Sequence, residues 1–140
     1  MPPAIEPVPP YLNFAPLRNA FETLTKASDR YRKAWTKASE RSGEALGRAQ
    51  LDAVNRKLML AERALMDAQG LPGRPWFKHQ LYAPGFYTGY GVKTIPAVRE
   101  AIEQKQWPLA ETSIASVAKV LEAEAGAIDA IAAELERAIR

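Results

Sequence analysis

The sequence predicts an all-α domain, a four-helix bundle with a long aromatic, Gly/Pro-rich loop between the second and third helices. Three observations carry this expectation. Apolar residues recur at steps of three and four over most of the chain, which is the period of a helix that buries one face. Residues 70–94 break that period and collect five glycines, three prolines and six aromatics. At 140 residues, with 47% hydrophobic and 25% charged residues, the chain has the length and composition of one globular core.

Residues 2–16 hold six of the eleven prolines, which fix φ and remove backbone donors. Residues 1–16 are therefore expected to be an extended linker from an absent upstream domain, and the folded domain is placed at 17–140. The first helix takes Leu17, Phe21, Leu24, Ser28, Tyr31, Trp35 and Ala38 as its buried stripe, with Gly43 as its stop. Its other face carries Arg18, Lys26, Arg30, Arg32, Lys33 and Lys37. With acids interspersed, this reads as a solvated surface rather than a nucleic-acid stripe, so no nucleic-acid partner is expected.

The second helix is expected from about Glu44 to Ala68, with a stripe of Leu51, Val54, Leu58, Ala61, Leu65 and Ala68, and Gly70 as its end. Met59, Leu60 and Met66 lie off that stripe, which predicts that this helix is the central one. A short third helix follows Thr94 as cap, with Pro96 in its first turn and Ile95, Val98 and Ile102 on one side. Pro108 opens the last helix, whose seam reads Ile114, Val117, Leu121, Glu124, Ile128, Ile131, Leu135 and Ala138. Long antiparallel helices are expected. Glu124 interrupts the seam and is expected either to snorkel at the bundle edge or to pair with a base on another element.

The net charge of +3 is unevenly spread: residues 17–42 carry +4 and residues 108–140 carry −3, so the basic first segment and the acidic last one should attract each other. Absence of cysteine removes disulfides, thiolate nucleophiles and thiolate metal sites. No apolar stretch reaches the roughly 20 residues needed to span a bilayer, and no membrane contact is expected of this segment. Compartment is left undecided, with periplasmic or extracellular export of a longer parent left open.

The only histidine, His79, has no carboxylate three or four residues away, so neither a zinc-peptidase nor a di-iron pattern is present. The glycines at 85, 89 and 91 match neither a dinucleotide fingerprint nor a P-loop, and no nucleophile elbow occurs. No catalytic residue, metal ligand or cofactor is assigned to the chain. His79, in W-F-K-H-Q-L-Y, is read as a neutral imidazole that bonds a backbone carbonyl and holds the loop. Trp76, Phe77, Tyr82, Phe86, Tyr87 and Tyr90 are divided between core packing and a binding surface.

Residues 55–85, N-R-K-L-M-L-A-E-R-A-L-M-D-A-Q-G-L-P-G-R-P-W-F-K-H-Q-L-Y-A-P-G, closely resemble the helical C-terminal domain of the glutamate carboxypeptidase II family, the transferrin receptor-like dimerisation domain. The matching elements are Glu62 to Asp67, Gly70 to Pro75 and His79 to Pro84, and a looser likeness spans 17–135. The resemblance implies a homodimerising bundle at the end of a longer chain, beside a di-zinc exopeptidase domain and an apical domain. Both zinc ions and the general base belong to that absent catalytic part. It further implies that the loop before the short helix reaches the substrate cleft through a Lys-Tyr pair, here Gly89-Tyr90. Tyr90 keeps a phenol for a substrate carboxylate, whereas Gly89 lacks the ammonium that suits a glutamate side chain. Arg74, His79 and Tyr82 are expected to hold the loop's structure. The alternative reading is a receptor-type domain of an inactive relative that docks another protein.

Overall fold

A computed structural model describes residues 7–40 and 47–139. The elements run α1 (Ala15–Glu40), α2 (Arg48–Ala61), a 3-10 turn (Glu62–Leu65), β1 (Tyr82–Pro84), β2 (Val92–Thr94), α3 (Pro96–Glu103) and α4 (Trp107–Ala138). Gly43 as the first helix's stop and Glu44 as the second's start lie outside the described residues.

The central element is α4, and α1, α2, α3 and the 3-10 turn all pack on it. Its predicted seam is correct in phase, with Ile114, Val117, Leu121, Ile131 and Leu135 all buried. Two apolar clusters lie along it: Ala20 and Val98 gather with Ile114, Val117, Ala118 and Leu121, while Ala34 and Val54 gather with Ile131, Ala132 and Leu135. Rising numbers in α1 thus meet rising numbers in α4, so these two helices are parallel, contrary to the expectation. The reason is the return path. The α2 segment descends, with Val54 beside Ile131 and Leu65 beside the Ile114 cluster, and Ile95, Val98 and Ile102 of the α3 region stay at that lower end. The chain therefore enters α4 at the level where it entered α1.

The stripe expected on α1 is half right. Leu17, Leu24, Tyr31 and Ala38 do pack inward, but the positions between them are Ala20, Ala27 and Ala34, at 0%, 3% and 2% exposure. Phe21 and Trp35 are left 63% and 46% exposed, and Ser28 is exposed with them. Across the contact, α4 buries Ala118, Ala125 and Ala132 at the same seven-residue spacing. Small side chains at that repeat allow two backbones to run close together at a shallow angle, which a phenyl or indole ring would prevent.

The attraction between the basic first segment and the acidic last one is realised through Arg30, and a pair from α2 adds to it. Arg30 of α1 reaches Asp129 at 3.2 Å and Glu136 at 2.9 Å, and Lys57 of α2 reaches Glu134 at 2.6 Å. The hydrogen bond from Lys57 holds the Glu134 carboxyl below its ordinary range.

Three further expectations are corrected. The second helix is not central: α2 ends at Ala61 rather than Ala68, buries only Val54, and leaves Leu51, Leu58, Met59 and Leu60 exposed. Beyond Ala61 the chain tightens into a 3-10 turn, and Gln80 N–H donates to Leu65 O at 3.0 Å, so a loop strand takes the carbonyl a longer helix would have used. Thr94 is not the cap of α3; Ile95 is, at φ 47°, and Pro96 then supplies the preset φ of the first turn. Among the described residues Glu124 meets no base. Desolvation first, and the Glu62 carboxylate second, push its carboxyl up, and its buried Oε2 accepts no hydrogen bond.

Candidate functional site

The loop between the 3-10 turn and α3 is built from tight turns around one buried arginine. Gly70 sits at φ +72°, and a side chain there would collide with the Pro75 backbone. Leu71 N–H donates to Phe77 O at 2.9 Å and Arg74 N–H to Leu71 O at 2.9 Å, which coils G-L-P-G-R-P into a knot. Arg74 points inward at 4% exposure. Its guanidinium donates to Pro84 O and, at 2.7 Å, to Glu100 Oε2 of α3, and lies between the Phe77 and Phe86 rings at 5.4 and 5.2 Å. The other Glu100 oxygen accepts Phe86 N–H at 2.7 Å. Arg74 and Glu100 together clamp the knot, the start of the hairpin and α3 into one unit.

Within the loop, β1 and β2 pair antiparallel, Tyr82 opposite Thr94 and Pro84 opposite Val92. Gly85 N–H donates to Gly91 O at 2.9 Å and Gly89 N–H to Gly85 O at 3.0 Å, closing the connection. Gly89 adopts φ +68° with open space beside its Cα. Tyr90, next to it at the tip, is fully exposed at 101%. Lys93 of β2 pairs with Glu103 of α3, so the base of the hairpin is tied to the bundle. That bond first, and Arg99 second, depress the Glu103 carboxyl.

His79 lies at the other side of the loop. Its Nδ1 accepts Leu81 N–H at 3.3 Å, which is the reverse of donation to a backbone carbonyl and leaves the neutral ring's proton on Nε2. That nitrogen faces Glu62 Oε1 at 3.7 Å, and the ring packs on Tyr82 with centroids 3.9 Å apart. Tyr82 O–H donates to the same Glu62 oxygen at 2.9 Å, which raises the phenol above its ordinary range. A search confined to near neighbours in sequence missed this acid because Glu62 is 17 positions away; the E-R-A element was its only sequence signal.

Of the six loop aromatics, Phe77 alone packs on a buried cluster; Trp76, Tyr82, Phe86, Tyr87 and Tyr90 are exposed. The structure brings Arg74 together with Glu100, and His79 with Tyr82 and Glu62, and sets Gly89 and Tyr90 apart at the tip. Among the described residues no three His, Asp or Glu side chains are placed to hold a metal ion. A surface depression of about 870 Å³ lies elsewhere, between α1 and the end of α4, and its wall mixes Lys26, Lys33 and Lys37 with Asp29 and Glu136.

Residues 12–129 match the family model of the transferrin receptor-like dimerisation domain. The chain belongs to that family. Within it, the transferrin receptor-like bundle is similar to a probable glutamate carboxypeptidase of Arabidopsis thaliana, 47% identical over 57 residues, 41% of this chain and 8% of the relative. A probable glutamate carboxypeptidase of Arthroderma benhamiae is 29% identical over 94 residues, 67% of this chain and 12% of the relative. An inactive zinc metalloprotease of Schizosaccharomyces pombe is 29% identical over 73 residues, 52% of this chain and 9% of the relative. The aligned part thus spans about a tenth of these relatives or less. The helical fold described above is that of a member of this dimerisation-domain family.

Proposed function

We propose that this dimerisation bundle serves a glutamate carboxypeptidase-like di-zinc exopeptidase, joining two copies of the parent and lending the Gly89-Tyr90 tip to its substrate pocket. The residues ahead of Leu12 would tether it to an apical domain and to a peptidase domain that holds both zinc ions, since Leu12 and Phe14 already pack on the bundle. The observation that carries the pocket reading is the clamped hairpin: Arg74, Glu100 and Glu103 fix its base while Tyr90 is left wholly without cover. A rigid support with an uncovered phenol suits the capture of a peptide's terminal carboxylate. Gly89 supplies no ammonium, so the pocket favours substrates whose last side chain is not an anion.

The test uses the full-length parent. Tyr90→Phe raises KM for peptide substrates and leaves the melting temperature unchanged, and Gly89→Lys shifts kcat/KM toward peptides ending in glutamate. Unchanged kinetics in both variants would remove the tip from the pocket. The second reading, a receptor-type domain of an inactive parent, is favoured by Gly89 standing where the resemblance expects lysine, and by the inactive fission-yeast relative. It predicts that the parent binds no zinc and cleaves no peptide.

A further inference from the structure

We infer that Lys93 is the positioning residue of the hairpin tip: held at its far end by Glu103, its side chain supports the turn at Gly85 and so sets where Tyr90 points. The inference rests on the pocket reading and names the side chain through which the fold aims the phenol.

The tip hangs on one residue. Gly85 N–H donates to Gly91 O at 2.9 Å, Gly89 N–H donates to Gly85 O at 3.0 Å, and Tyr90 N–H donates to Thr88 O at 2.8 Å. Both ends of the connection between β1 and β2 therefore refer back to Gly85, and Tyr90 moves with it. What holds Gly85 sideways is packing. A methyl group on it would lie 2.3 Å from Thr88 Oγ1 and 3.2 Å from Lys93 Cε, so the threonine hydroxyl and the lysine stem occupy the place of a side chain. At the next residue, Phe86 N–H is fixed to Glu100 of α3 at 2.7 Å. The turn is thus gripped between α3 and the Lys93 stem.

A lysine stem alone is a poor support, because its flexible four-carbon chain is free to swing. This one is fixed at both ends. Its backbone pairs with Ala83 in the ladder, its ammonium bonds Glu103, and its side chain is only 12% exposed. Glu103 is itself anchored within α3, where its other oxygen accepts Arg99 Nε–H at 3.0 Å. An apolar residue at position 93 could touch Gly85, but nothing would hold its far end. Because Glu103 already neutralises the ammonium, Lys93 acts through Tyr90 rather than by meeting the substrate.

Steady-state kinetics of the full-length parent test this. Tyr90→Phe, which removes a hydrogen bond to a charged group, sets the scale at about tenfold in KM. Lys93→Met keeps the stem and removes its anchor; it is expected to raise KM by no more than Tyr90→Phe does, with kcat unchanged, and Lys93→Arg, which keeps a cation in reach of Glu103, is expected to restore most of the loss. Gly85→Ala, which pushes on the same stem, is expected to act like Lys93→Met. The deciding variant combines Lys93→Met with Tyr90→Phe. A residue that works only by aiming the phenol adds nothing once the phenol is gone, so KM is expected to stay at the Tyr90→Phe value. If the two effects multiply instead, or if Lys93→Met leaves KM unmoved while Tyr90→Phe raises it, the positioning role is wrong and the pocket reading stands. If Tyr90→Phe leaves KM unchanged, there is no phenol to aim and the positioning role falls; Gly89→Lys then decides whether the pocket reading falls with it.

Discussion

Arg74→Met tests the clamp on which the hairpin depends. In the structure the guanidinium is 5% exposed and its partner Glu100 is 13% exposed, with 2.7 Å between them. Removing one member of a buried pair costs about 3–5 kcal/mol, because the remaining charge stays out of water. Here Glu100 retains one donor, Phe86 N–H at 2.7 Å, and methionine refills part of the space between Phe77 and Phe86. The lower end, about 3 kcal/mol, is therefore expected. For a domain of this size that corresponds to a fall of about 10 °C in Tm. Circular dichroism melts and urea titrations give the value, and a second variant separates its cause. Arg74→Met with Glu100→Met removes both charges and should be more stable than Arg74→Met alone by about 1 kcal/mol or more. A loss within about 0.5 kcal/mol for Arg74→Met would refute the clamp and show that the backbone turns hold the loop unaided.

Other expectations follow from single residues. Leu135→Ala, at a fully buried position between α1, α2 and α4, should cost about 2–5 kcal/mol in urea unfolding. Glu124 has a carboxyl that burial pushes above the ordinary carboxylate range, so folding favours its protonated form and the charged form weighs against the fold as pH rises through that raised value. Glu124→Gln should therefore raise Tm at pH 8, with the gain shrinking toward pH 4; a gain that is constant with pH would contradict this. Glu134→Gln should do the reverse, lowering Tm at neutral pH, because the depressed Glu134 carboxyl contributes stability above its ordinary range that fades as pH falls.

The sequence was legible where one kind of signal decided the outcome. The α4 seam was read correctly because large aliphatics mark its buried face, and Pro108 was rightly placed at its start. The α1 stripe was misread because Phe21 and Trp35 carry far more apolar area than Ala20, Ala27 and Ala34. What chose the alanines was the matching row on α4, a partner 98 residues away in each case that periodicity within one helix cannot reveal. The same blindness to distant partners hid Glu62 from His79 and Glu100 from Arg74, and made α2 look central when its apolar surplus is in fact exposed. The parallel run of α1 and α4 was missed for a related reason, since it depends on where the loop and α3 deposit the chain.

The central claim, that the amphipathic bundle exists to join two copies of itself, is tested most directly by sedimentation equilibrium of the purified chain across a hundredfold range of concentration. The account predicts a mass that rises with concentration to twice that of one chain. A mass fixed at one chain throughout would contradict it.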